Sequence, residues 1–140
     1  MEAAFRVVGT PKPKGSTRAF VHRGRAIITS DCKGERPWAQ QVHWTAREHA
    51  FETPWSGPVR VEVEFIMPRP KRLGRKRVDV PADTKPDVDK LARSVLDALT
   101  GVFWVDDSTV TALFAMKRHA NEGEAPGALI RVETVQGVAA

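Results

Sequence analysis

The chain has 140 residues, with Lys+Arg 22 against Asp+Glu 17, a net charge of +5 and a pI near 9.8. That length fits a single domain spanning 1–140 that buries one core without disulfides, and 41% hydrophobic content excludes a wholly disordered chain. The charge favours an anionic partner; the lone cysteine, Cys32, excludes an internal disulfide, and without a long apolar run the expectation is an intracellular protein with no membrane partner.

Residues 3–8 read as a first strand ending at Gly9, followed by Thr10-Pro11-Lys12-Pro13-Lys14-Gly15-Ser16, a loop of breakers and lysines. Residues 18–23 and 25–29 form a predicted hairpin turning at Gly24. Over 37–51, Trp38, Val42, Thr45, Ala46 and His49 recur at threes and fours, which predicts a helix opened by Pro37 and ended by Pro54, Gly57 and Pro58. Val59, Val61, Val63, Phe65 and Met67 alternate with Arg60, Glu62, Glu64 and Ile66, the period of a strand buried on one face.

The stretch 68–77 carries Arg69, Lys71, Arg72, Arg75, Lys76 and Arg77 with almost nothing apolar between them, and is expected to be an exposed, mobile loop. A second helix follows, with Val88, Leu91, Ala92, Val95 and Leu99 as its apolar stripe and Gly101 as its stop. Strands are expected over 109–117 and 128–135, joined by the loop 119–127. Strands, helix, strand, helix, strands is the order of an α+β (mixed α/β) domain: a mixed sheet with two main helices.

Asp87 and Asp89 open the second helix, and Asp106 and Asp107 return just past its other end. Two carboxylates about 4 Å apart repel by roughly 4 kcal/mol at an effective dielectric near 20, so gathered carboxylates call for a cation. Mg²⁺ suits them, because it is commonly held by one or two carboxylates together with substrate phosphate oxygens. Beside a cationic surface, such a cluster points to metal-assisted chemistry on a phosphodiester. Asp87 also fits an N-cap, and Asp89 the positive end of the helix dipole, but neither role calls for Asp106 and Asp107. Asp89, Arg93 and Asp97 are each four residues apart on one helix face. They are either surface salt bridges or a metal ligand beside a cation that stabilises developing phosphorane charge, and spacing alone leaves both open.

The basic stretch leads into this acidic helix, and Lys12, Lys14, Arg18, Arg23 and Arg25 form a second basic group. Cationic loops flanking carboxylates suit a surface that tracks a nucleic-acid backbone rather than a solvated charge run. The candidate nucleic-acid contacts are Lys12, Lys14, Lys71, Arg72, Arg75, Lys76 and Arg77. His22, Cys32, His43 and His49 lack the paired spacing of a zinc site. The scattered glycines give no phosphate-cradling loop, and no local signature supports Ser/His/Asp catalysis.

Three segments, Lys85-Pro86-Asp87-Val88-Asp89, Leu96-Asp97-Ala98-Leu99-Thr100-Gly101 and Phe103-Trp104-Val105-Asp106-Asp107-Ser108, resemble the RusA family of Holliday junction resolvases, small endodeoxyribonucleases often carried by phages and prophages. Gly9-Thr10-Pro11-Lys12-Pro13-Lys14-Gly15 resembles the family's loop after its first strand. The resemblance implies a Mg²⁺-dependent homodimer, with Mn²⁺ as a substitute, that nicks two strands of a four-way DNA junction in recombination and repair. It also implies the cytoplasm of a bacterial or phage-infected cell. By position, Asp87, Asp89 and Asp107 correspond to the family's metal-binding aspartates, with Asp106 a neighbouring candidate, and Arg93 falls where a catalytic lysine is usual. Lys90 stands where the family commonly has asparagine. Two other readings are a non-cleaving nucleic-acid-binding protein of the same fold and a nuclease for other branched DNA.

Overall fold

The chain is described by a computed structural model covering residues 1–15, 17–30 and 34–136. The strands are β1 (Glu2–Val8), β2 (Thr17–His22), β3 (Arg25–Ser30), β4 (Val59–Met67), β5 (Val110–His119) and β6 (Gly127–Thr134); the helices are α1 (Glu35–His49) and α2 (Val88–Leu99). Both expected helices and every expected strand are present, with boundaries moved by a few residues. α1 starts at Glu35 because Gly34 turns the chain in with φ 82, and residues 50 and 51 leave the helix in extended backbone or coil. β5 starts after a 3₁₀ turn, Asp107–Thr109, and runs on to His119.

Four strands form a mixed sheet in the order β1-β6-β4-β5, with β4 and β5 parallel and the other neighbours antiparallel. Val59, Val61, Val63 and Phe65 of β4 are buried, as their alternation required, but one-face burial does not hold at the strand's end, where Ile66 of the opposite face is fully buried too. They meet Phe5 and Val7 of β1 and Ile130 and Val132 of β6 in one core, closed by Trp38, Val42 and Ala46 of α1 and Leu91, Val95 and Leu99 of α2. The helices cover one face of the sheet. Its other face carries Phe114, Met116 and Leu129 at 52%, 56% and 38% exposure.

β2 and β3 form the separate hairpin, turning at Arg23 and Gly24, both at positive φ, as a two-residue turn matching the strand twist requires. Arg23 and Arg25 are exposed at its tip. The Arg18 side chain and Cys32 lie outside the described residues.

The basic stretch is more ordered than expected. Lys71–Leu73 form a 3₁₀ turn, and Leu73 is buried at 5% exposure. Arg69 holds the stretch together: its guanidinium donates to the carbonyls of Gly74 (2.7 and 2.9 Å), Arg77 (2.9 Å) and Ala120 (3.0 Å). A side chain with its donors occupied this way, and only 12% exposed, is a brace and not a phosphate contact.

Candidate active site

The site is built around α2. Asp87 occupies the N-cap position in extended backbone, but its carboxylate makes no capping hydrogen bond and lies 3.9 Å from Lys90 Nζ. Asp89 follows in the first turn, where the positive end of the helix favours a carboxylate, and Arg93 comes one turn later. The helix ends at Thr100, whose hydroxyl donates to the Leu96 carbonyl, and Gly101 turns the chain back at φ 85. Trp104, fully buried, then anchors the return: its Nε1 donates to Thr100 Oγ1 at 3.0 Å, and the Val105 amide donates to the Trp55 carbonyl. This compact knot brings residues 106 and 107 back beside the helix that carries Asp89.

Asp106 and Asp107 then diverge. Asp106 accepts the Ser108 amide at 2.8 Å and caps the 3₁₀ turn. The hydrogen bonds from Ser108 hold its carboxyl below the usual range. Asp107 instead lines an open groove of about 990 Å³ together with Asp89, Arg93, Asp97, Lys14 and the side of β5 formed by Leu113 and Ala115. Asp89, Arg93 and Asp107, widely separated in the sequence, therefore share one groove. Asp87 is outside its lining.

The loop after β1 closes one side of this groove. The Lys14 amide donates to the Lys90 carbonyl at 3.0 Å, and Lys14 Nζ lies 3.2 Å from Asp97 and 3.9 Å from Glu35. Of the two readings left open for Asp89, Arg93 and Asp97, the line of salt bridges along α2 is not the one formed. Asp97 pairs with Lys14, and among the described residues Arg93 pairs with neither Asp89 nor Asp97. Its charge is left for whatever enters the groove.

Lys12 faces elsewhere, into a cavity of about 540 Å³ that it lines with Arg72, Lys85 and His119. Burial, with the Arg72 charge adding to it, keeps the His119 imidazole below its ordinary pKa. Lys71, Arg72, Arg75, Lys76 and Arg77 are all exposed, and of these Arg75 lies 4.0 Å from Glu122. Sequence reasoning missed Lys117. Its Nζ donates to the carbonyls of Thr84 and of Pro86, the latter at 2.7 Å, which ties down the segment leading into Asp87. The signal was its phase: Lys117 continues the positions Leu113 and Ala115 on the groove side of β5, where a half-buried lysine needs hydrogen-bond acceptors.

Residues 9–133 match the family Endodeoxyribonuclease RusA. The chain belongs to the RusA family. It is also similar to the uncharacterized protein YqaN of Bacillus subtilis (strain 168), with 32% identity over 126 residues, 84% of this chain and 88% of that protein. As a RusA-family member it is an endodeoxyribonuclease, a hydrolase of DNA phosphodiester bonds, in a family that acts on Holliday junctions and depends on divalent metal. Among the described residues no helix is long and apolar enough to cross a membrane.

The donor set fits such a metal in a particular way. No cluster of three or more His, Cys, Asp or Glu groups close enough to hold an ion occurs among the described residues. Two exposed carboxylates, Asp89 and Asp107, do line the groove, and neither pairs with a described cation. A pair of carboxylates with room for solvent and phosphate oxygens is what a hard divalent cation in a phosphoryl-transfer site requires. The pattern of a closed structural site, with four protein ligands, is absent among the described residues.

Proposed function

We propose that this RusA-family enzyme is a Mg²⁺-dependent resolvase that places paired nicks in four-way DNA junctions during recombination and repair, acting as a homodimer in the cytoplasm of a bacterial or phage-infected cell. The observation that carries this reading is the groove in which Asp89, Arg93 and Asp107 meet, bordered by Lys14.

Asp89 and Asp107 would hold the Mg²⁺, or Mn²⁺ in its place, with Asp87 as the third carboxylate at the helix start. A divalent ion there supplies a Lewis acid for the phosphodiester and lowers the pKa of an attacking water. Arg93 stays protonated at any accessible pH, so it stabilises negative charge developing on the phosphate oxygens and does not transfer a proton. Lys14 holds the loop after β1 against α2, and Lys12, Lys71, Arg72, Arg75, Lys76 and Arg77 bind flanking phosphates, the contacts that supply most of the affinity. The uncovered sheet face supports the homodimer. Phe114, Met116 and Leu129 lie there among Arg131, Glu62 and Glu64, an apolar strip edged by both charges, as a self-complementary two-fold contact needs.

The test is cleavage of a synthetic four-way junction by Asp87→Asn, Asp89→Asn and Asp107→Asn variants across a Mg²⁺ titration. Each substitution removes a charge and keeps the bulk, so cleavage is expected to fall by orders of magnitude while junction binding survives. Three variants that cut like wild type would overturn the assignment.

A further inference from the structure

We propose that Trp44 is a stacking platform for an unpaired base of the DNA substrate, flanked by Arg36 and Arg47 as phosphate contacts. The proposal rests on the branched-DNA reading above and adds a way of recognising the branch.

Trp38 and Trp104 are buried and Trp55 is partly buried, but Trp44 is 61% exposed. It does not hold α1 on the sheet; Trp38, Val42 and Ala46 do that. Arg36, Gln40, His43, Trp44 and Arg47 instead form a separate stripe at helical spacing, away from the core stripe. The Arg47 guanidinium lies over the Trp44 ring at 5.5 Å from its centroid, and His43 packs edge-on against it at 5.6 Å. His43 Nδ1 also lies 3.4 Å from the Ala98 carbonyl of α2, which fixes the ring pair against that helix.

Arg36, Gln40, His43 and Trp44 of the stripe line a cavity of about 480 Å³ between α1 and α2, and Lys14 and Asp97 belong both to this cavity and to the proposed catalytic groove. A strand leaving the groove therefore meets Trp44 next. The charge around the ring suits nucleic acid: Arg47 lies over the indole, Arg36 lines the same cavity as Trp44, and the cavity's acids Glu35 and Asp97 lie against Lys14, while Glu48 is the acid one turn along α1. An exposed indole with adjacent guanidinium groups is the arrangement that stacks a base while holding its backbone, and it accepts any base because every base has a π-face.

The experiment compares Trp44→Ala and Trp44→Phe with wild type for binding, without divalent metal, to three probes: a four-way junction, a duplex with a gap of unpaired thymines, and the fully paired duplex. Trp44→Ala is expected to weaken binding to the junction and the gapped duplex by about fivefold or more, the lower end for a lost base stack, with no change on the paired duplex. Trp44→Phe should recover most of that loss. Equal losses on all three probes, or no loss on any, overturns the proposal. So does a change in oligomeric state of Trp44→Ala by sedimentation, which would make this face a contact between copies of the chain. If wild type fails to prefer the junction over paired duplex, the junction reading falls while the gapped duplex still decides the role of Trp44.

Discussion

Replacing Lys71, Arg72, Lys76 and Arg77 with serine tests the basic stretch quantitatively. All of them are exposed and none is paired with a described acid, whereas Arg75 already faces Glu122 and Arg69 is bound to backbone carbonyls. If each of the four contacts a phosphate, the slope of log K against log salt should flatten by about 3.6, at roughly 0.9 per counterion released. Between 50 and 200 mM salt, wild type should then lose about 150-fold more affinity than the variant. Arg69→Gln gives the contrasting result: affinity falls because the stretch loses its brace, while the slope stays at the wild-type value because no phosphate contact is removed. Junction-binding titrations over that salt range measure both. A wild-type slope in the four-serine variant refutes the assignment of these cations to phosphates, and a slope change near 0.9 in Arg69→Gln refutes its reading as a brace.

Arg93→Ala should lose about 2 to 4 kcal/mol of transition-state stabilisation, the range for removing one charge-stabilising donor, and Arg93→Lys should keep substantial activity; single-turnover junction cleavage at saturating Mg²⁺ measures both. Glu124 is held down to about 2, chiefly by its hydrogen bonds from Arg118. A carboxylate depressed in the folded state stabilises the fold above its unfolded value, and that contribution is lost as pH falls from its ordinary value near 4.5 towards 2. The stability gap between wild type and Glu124→Gln should therefore be wide at pH 7 and narrow steadily below pH 4.5, measured by urea unfolding at each pH. Lys90→Asn should lower the Mg²⁺ concentration for half-maximal cleavage, and an unchanged or higher requirement would refute a competition between the Lys90 ammonium and the metal for Asp87.

The architecture was legible where one periodicity governed a whole element. β4 alternates over 59–65 because one of its faces packs under the helices, and α2 shows its stripe because Leu91, Val95 and Leu99 all enter the core. The ends of elements were less legible. Gly34 and the Asp107–Thr109 turn set where α1 and β5 begin, through local backbone geometry that a hydrophobic pattern does not encode. Within the site, the return of Asp107 to α2 was readable from the short connection, but the division of labour between neighbours was not. Asp106 reaches the Ser108 amide and caps the turn while Asp107 lines the groove, a difference that two adjacent aspartates do not show in sequence. Arg69 is indistinguishable in sequence from the cations after it; its role comes from the carbonyls of residues 74, 77 and 120, which the fold brings to it.

The same neighbourhood reconciles three aspartates implied by family resemblance with a groove lined by two of them. Asp87 and Lys90 are 3.9 Å apart and both 57% exposed, so their attraction is a surface ion pair worth well under about 1 kcal/mol. If Asp89 and Asp107 hold a divalent cation as proposed, that ion would attract a third carboxylate more strongly than one solvated ammonium does, because its charge is doubled and carboxylate oxygens ligate it directly. Lys90 would then be a weak competitor for Asp87. Its backbone carbonyl, which receives the Lys14 amide, is unaffected by what side chain stands there. Asparagine at this position would keep that backbone contact and remove the competing charge, so the departure from the family pattern at position 90 should alter metal affinity and leave the groove's construction intact.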